Sequence, residues 1–204
     1  MDGDTLQGEL RAILGERGVH TDTDAMAPYL EDWRGLARGT AVAVARPETT
    51  EEVAELVRLC ARTGTALVPQ GGVTGLVNAS APHGPRPLLV LSLDRMNRVL
   101  EVDPVNLTLT AEAGCILQEA QRAAAAEGLR LPLRIGAEGS ARLGGVLATN
   151  AGGNLTLRYG NTRELCLGLE VVLPDGRVLD ELKRLRKDNT GYDLKHLFIG
   201  AEGT

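Results

Sequence analysis

Leu6, Leu10, Ile13 and Leu14 recur at helical spacing, so residues 5–17 read as an amphipathic lead-in helix ended by Gly15 or Gly18. The alternating small apolar run Ala41–Ala45 predicts a strand. After Pro47, Thr49 and Glu52 stand three apart as a capping box. They open a helix over 50–63 whose buried stripe is Val53, Leu56, Val57 and Cys60, and Gly64 stops it. Ala66–Val68 is a short strand, and Leu88–Leu93 is another beyond a long loop of glycine and proline. Strand, helix, strand, glycine loop, strand opens an α/β unit.

The rhythm then changes. Arg98–Val102 and Leu107–Glu112 read as strands bent at Asp103-Pro104, and Ile116–Glu127 as an alanine-rich helix closed by Gly128. A glycine-rich stretch from Gly136 to Gly153 leads to a hairpin, Leu169–Leu173 and Arg177–Leu179, turned by Pro174-Asp175-Gly176. A helix through Leu194–Leu197 and the cluster GAEGT complete the chain. The pattern is α+β in two lobes that meet near residue 100.

Composition narrows the class. The 204 residues are 43 % hydrophobic and 24 % charged, a globular balance, and no apolar run nears the ~18 residues of a membrane span. A net charge of −5 leaves no field to hold a polyanion, so nucleic acid is not an expected partner. Cys60, Cys115 and Cys166 lie far apart without CxxC spacing, which indicates neither zinc nor a disulfide frame. With an acidic N-terminus that lacks the features of a secretory signal, the expected location is the cytoplasm.

Twenty-five glycines against five aromatic residues place the chemistry in the backbone. Gly71-Gly72-Val73-Thr74-Gly75 follows a strand and can turn successive amides inward as an anion nest, or can be an ordinary tight turn. It matches neither GxGxxG nor a Walker loop. The run AEGSARLGGVLATNAGG, residues 137–153, admits a flat ligand or a close crossing of two backbones. Three such segments, at 71–75, 144–153 and 200–203, point to one large cofactor wrapped by backbone between two lobes.

The runs PQGGVTGLV, LPLRIGAEGSARLGGVLATNAGG, Tyr159-Gly160, GLEVVLPDGRVLD and LRKDNTGYDLKHLFIGAEGT resemble the PCMH-type FAD-binding domain of the vanillyl-alcohol-oxidase superfamily. The resemblance covers about 38–204, with 1–37 as a lead-in. It leans toward the branch of D-2-hydroxyglutarate, D-lactate and glycolate dehydrogenases. It implies a two-lobed α+β fold, lobes about 38–100 and 101–204: a small α/β lobe and a larger one with a mainly antiparallel sheet whose C-terminal edge is incomplete. It implies noncovalent FAD, with Gly71, Gly72, Val73, Thr74 and Gly75 placing amides on the pyrophosphate and with Pro69, Leu76 and Ser80 beside them. Ser140, Gly144, Gly145, Thr149, Asn150, Gly152 and Gly153 would line the ribityl chain and flavin, Glu202 and Gly203 the adenine end. Leu133, Gly136, Ala137, Ala148, Tyr159, Gly160 and Val172 complete the expected cofactor set. Val73 stands where the family has Gly or Asn, and Asn78-Ala79 where it has Gly-Gly. A β-branched residue resists positive φ, which leaves the loop's path at Val73 open.

The activity so implied is hydride transfer from C2 of a small D-2-hydroxyacid to flavin N5, with electrons passed to a quinone or an electron-transfer flavoprotein. Amides around Gly144–Gly153 are candidates to stabilise negative charge on the flavin. The family's catalytic histidine, substrate arginine and metal ligands belong to a cap domain beyond GAEGT, so this chain is expected to bind FAD but to catalyse poorly alone. No metal ligand and no catalytic residue is assigned among its own positions. His20, His83 and His196 have ordinary accounts, the charged run Arg184–Asp188 reads as a solvated turn, and Trp33 is expected to pack or to lie near the flavin. Alternatives are the FAD domain of a sugar or aldonolactone oxidase, or a noncatalytic flavin-binding subunit. A homodimer is compatible with the sequence.

Overall fold

The computed structural model describes residues 3–203. They divide into two compact units, one of residues up to Met96 with Val172–Val178, the other of Asn97–Val171 with the residues from Leu179 on.

In the first unit α1 (Gly3–Leu14) precedes the two-residue strand β1 (Val19–His20) and a short α2 (Thr23–Met26). Then come β2 (Ala43–Ala45), α3 (Thr50–Thr63), β3 (Ala66–Gln70) and β4 (Leu88–Ser92). The sheet order is β1-β2-β4-β3; β1 is antiparallel to β2, and β2, β4 and β3 run parallel. β2 and β4 are buried at every position, the continuous apolar run expected of parallel strands covered on both faces. Thr49 caps α3 by accepting the Glu52 N–H at 3.1 Å, while the Glu52 carboxylate takes the N–H of Glu48 at 2.6 Å. Gly64 ends the helix at φ +70°. Leu56, Leu59 and Cys60 of α3 meet Leu89 and Leu91 of β4, and Leu6, Leu10 and Leu14 of the lead-in helix join the same core. Each such side chain, fully buried, contributes about 1.5–3 kcal/mol. Burial pushes the Cys60 thiol up to about 11, so it behaves as core rather than as a nucleophile.

The segment 172–178 is the tip of the late hairpin. Leu173 donates to the Arg177 carbonyl at 2.8 Å, and Gly176 holds φ +78°. Arg58 of α3 donates to the Gly176 carbonyl at 2.6 Å, and a Cβ at Gly176 would collide with the Arg58 stem.

The second unit begins with β5 (Val99–Asp103) and β6 (Thr108–Ala111), an antiparallel pair. The bend expected at Asp103-Pro104 is thus a reversal: Asp103 Oδ1 accepts the N–H groups of Val105 and Asn106 and closes the turn. After α4 (Leu117–Ala126) come α5 (Leu143–Ala148) inside the glycine-rich stretch and α6 (Thr156–Tyr159) and α7 (Thr162–Leu165) just after it, none of them expected from the sequence. The hairpin strands are β7 (Leu169–Val172) and β8 (Val178–Glu181). Leu117, Leu133, Ala141 and Val146 form this unit's core. The helix expected through Leu194–Leu197 is a single 3-10 turn. The charged run after β8 is exposed throughout, as expected of a solvated turn, and carries surface ion pairs: Arg184 meets both carboxylate oxygens of Glu101 in β5, and Lys183 bridges Glu181 and Asp188. No helix among the described residues is long and apolar enough to cross a membrane.

Candidate functional site

β2, β4 and β3 run parallel, so Arg46, Asp94 and Gly71 all leave the carboxyl edge of one sheet, the edge where ligands bind in open α/β folds. The glycine loop starts there. Among the described residues no hydrogen-bond acceptor meets a backbone N–H from Gly71 to Val77, and Gly71, Gly72, Val73 and Thr74 are partly buried. Gly75, Leu76 and Val77 lie at the surface, so these amides are open to water, and a run of N–H groups left open in this way can donate to the anionic oxygens of a ligand. Val73 holds φ +52° and Asn78 φ +60°. Asparagine tolerates that region; a β-branched residue does so only when its surroundings hold it. A Cβ on Gly75 would meet nothing within 4 Å, so that side of the loop is open.

Two braces hold the loop. Gln70, 3 % exposed, donates from Nε2 to the carbonyls of Ser80 (2.6 Å) and Tyr29 (2.7 Å). Tyr29 in turn donates its hydroxyl to Asp94 at 2.9 Å, and Arg46 grips Asp94 at 3.0 Å while meeting His20 Nε2 at 2.9 Å. Downstream, Thr40 N–H donates to the Pro82 carbonyl at 3.1 Å, and Gly39 is required there because a side chain would strike that carbonyl.

The second brace is the loop 31–39, which the hydrophobic pattern does not reveal. Asp32, 3 % exposed, accepts the N–H groups of Ala37 (2.5 Å) and Arg34 (3.2 Å). Burial by itself raises its pKa, but these amides and the Arg34 charge outweigh that and hold the carboxyl below its ordinary range. Arg34 then reaches out to the Leu76 carbonyl at 2.6 Å. Trp33 does not pack: it is 61 % exposed.

In the second unit the glycines do different work. The amides of Leu143, Gly144, Val146, Thr149, Asn150 and Ala151 donate to backbone carbonyls, and that of Gly153 to Thr156 Oγ1. Those groups are engaged within the chain, whereas among the described residues the N–H groups of Gly145 and Gly152 have no hydrogen-bond acceptor. Gly144 packs closely on Ala113, while Gly152 meets the Asn161 side chain, Gly153 the Arg134 carbonyl and Gly160 Glu164, each of these three where a Cβ would clash. Gly136 and Gly145 have open space instead.

Within this unit the segments 143–153 and 200–203 do meet. Gly200 donates to the Leu147 carbonyl and Glu202 to that of Ala148, both at 3.0 Å. Asn150, at φ +46°, accepts the Arg163 N–H at 2.9 Å, and the Arg163 guanidinium holds the Ile199 and His196 carbonyls. An open hollow of about 340 Å³ is lined by Arg134–Gly136, Glu138 and Gly152–Asn154. Of the other expected positions, Leu133 is core, Ala137 packs against that core, and Val172 packs on the core of the first unit. Pro69, Leu76, Ser140, Thr149, Gly203 and the Tyr159 ring are exposed, with Arg158 stacked on that ring at 5.4 Å. Among the described residues no cluster of three His, Cys, Asp or Glu side chains is placed to hold a metal.

A run of unpartnered amides at a strand's carboxyl end is chemically suited to phosphate oxygens. The model of the FAD binding domain family matches residues 41–181, so the chain belongs to that family of flavoproteins, and FAD is its cofactor. It is 48 % identical over 201 residues to the mitochondrial D-2-hydroxyglutarate dehydrogenase of Bos taurus, covering 98 % of this chain and 36 % of that one. It is 44 % identical over 200 residues to a protein of Schizosaccharomyces pombe that carries the name of a mitochondrial D-lactate dehydrogenase, covering 95 % and 38 %. A solved alkyldihydroxyacetonephosphate synthase superposes at TM-score 0.87 and 25 % identity over all of this chain and 38 % of that one, which shows the PCMH-type fold. The chain thus spans about a third of the length of the relatives it matches. The mitochondrial names of these relatives overturn the cytoplasmic expectation.

Proposed function

We propose that this chain is the FAD-binding portion of a flavin-dependent D-2-hydroxyacid dehydrogenase of the D-2-hydroxyglutarate or D-lactate type. The observation that carries the reading is the unpartnered amide run Gly71–Val77, in a chain 48 % identical to a D-2-hydroxyglutarate dehydrogenase. In this reading Gly71, Gly72, Val73, Thr74 and Gly75 present N–H groups to the pyrophosphate oxygens, with Pro69, Leu76 and Ser80 flanking. The braces Gln70 and Arg34 keep those donors aimed before the cofactor arrives, which lowers the ordering cost of binding. Bound FAD supplies the hydride acceptor. It is held noncovalently, since His83 is exposed in a loop of Pro and Gly that matches no attachment motif.

For the second unit, taken by itself, the proposal is narrower. Gly136 and Gly145 leave backbone that a flat ring can approach, Ser140, Thr149, Gly152 and Tyr159 border it, and Glu202 is seated against the end of α5 with the exposed Gly203 next in the chain. Gly144 and Gly153 shape this surface by letting the backbone cross closely, and Gly160 by giving room to the Glu164 side chain.

Electrons would pass onward to a quinone or an electron-transfer flavoprotein. The reading is tested by loading the full chain with FAD and adding substrates without oxygen. D-2-Hydroxyglutarate or D-lactate is expected to bleach the visible flavin band while aldonolactones leave it unchanged. Bleaching by an aldonolactone alone would move the protein to the sugar-oxidase type, and no flavin binding at all would end the proposal.

A further inference from the structure

Gln70 is the last residue of β3, directly before the free amides, and its side chain is almost wholly buried. One amide nitrogen donates to two carbonyls far apart in sequence, that of Tyr29 and that of Ser80. Ser80 lies at the far end of the glycine loop, so this single group ties the loop's exit to its entrance. No sheet hydrogen bond does so, because β4 begins only at Leu88. The other half of the side chain, Oε1, is buried and has no donor. A buried carbonyl oxygen without a donor costs free energy, so a side chain kept for packing alone would be better apolar. Through Tyr29 the same tie continues to Asp94 and Arg46, two charged groups at the carboxyl edge of the sheet.

We infer that Gln70 is a positioning residue: it holds the loop 71–80 closed in the shape that aims its amides, and it acts on FAD only through that loop. The inference rests on the proposed binding of pyrophosphate by Gly71–Val77 and deepens it. Removing the two bonds unties the loop's exit from its entrance, lets the loop open and weakens FAD by about 10- to 100-fold. Riboflavin, which has the ring system and ribityl chain but no pyrophosphate, loses nothing.

The experiment measures dissociation constants of FAD and of riboflavin for the full chain and for its Gln70→Met and Gln70→Glu variants, with circular dichroism to check the fold. Met keeps the volume without donors; Glu keeps the shape and turns an oxygen toward the two carbonyls. The expected result is an intact fold, FAD weakened by about 10- to 100-fold in both variants and riboflavin unchanged. Equal losses for FAD and riboflavin, no loss for either, or failure of both variants to fold would make Gln70 a structural residue and overturn the inference alone. Failure of the unaltered chain to bind FAD would instead overturn the functional reading on which it rests.

Discussion

The two glycine-rich segments look alike in sequence and differ in physics. From Gly71 to Gly75 the backbone donors are free and the space beside Gly75 is open. From Gly144 to Gly153 most donors are engaged, and Gly144, Gly152 and Gly153 stand where another part of the chain passes within a side chain's radius. In the first segment glycine leaves amides open, in our proposal for a ligand, and in the second it lets the Arg134 carbonyl and the Asn161 side chain pack close against the backbone. Glycine count alone cannot separate these uses; the fate of the N–H groups does.

This contrast breaks most sharply at Gly153. Gly153→Ala drives a methyl into the Arg134 carbonyl, and it is expected to destabilise the second unit by about 3 kcal/mol or more, seen in chemical denaturation. A change under about 0.5 kcal/mol would remove the packing account. Gly75→Val is the counterpart. It should leave stability within about 0.5 kcal/mol, because the site is open, yet weaken FAD roughly tenfold by crowding the amide surface. Lost stability with unchanged FAD affinity would reverse the roles of the two segments.

A smaller effect is expected at Val73, the β-branched residue held at φ +52°. Val73→Asn relieves about 1 kcal/mol of backbone strain and tightens FAD severalfold. An Asn variant that is less stable would mean that the Val73 side chain makes up for its conformation. Smallest is the response of the brace at Asp32 to acid. Its carboxyl is held below the ordinary value, so its contribution is complete above about pH 4 and is lost as pH falls through that lowered value. Trp33 is the only tryptophan of the chain, so its fluorescence should report a local acid transition that Asp32→Asn abolishes. A transition that persists in the variant would place its origin elsewhere.

Much of the first unit is legible in the sequence, because each signal there is local. Thr49, the α3 stripe and Gly64 define one helix through capping, periodicity and a left-handed stop. The Asp-Gly turn is equally local. The second unit is harder to read because its short helices are held by distant partners: α5 carries two glycines in its first turn and depends on the bonds from Leu143 to Cys115 and from Gly144 to Ala113. Of the site, the loop 71–75 is visible as a glycine pattern. Its braces are not, because Gln70 and Asp32 are ordinary polar residues until the fold buries them.

The account turns on the free amides of the first glycine loop. Amide hydrogen exchange, residue by residue, with and without saturating FAD, examines them directly. Strong slowing at Gly71–Val77 on binding is the predicted result, while exchange at these residues that stays unchanged with FAD bound would contradict it.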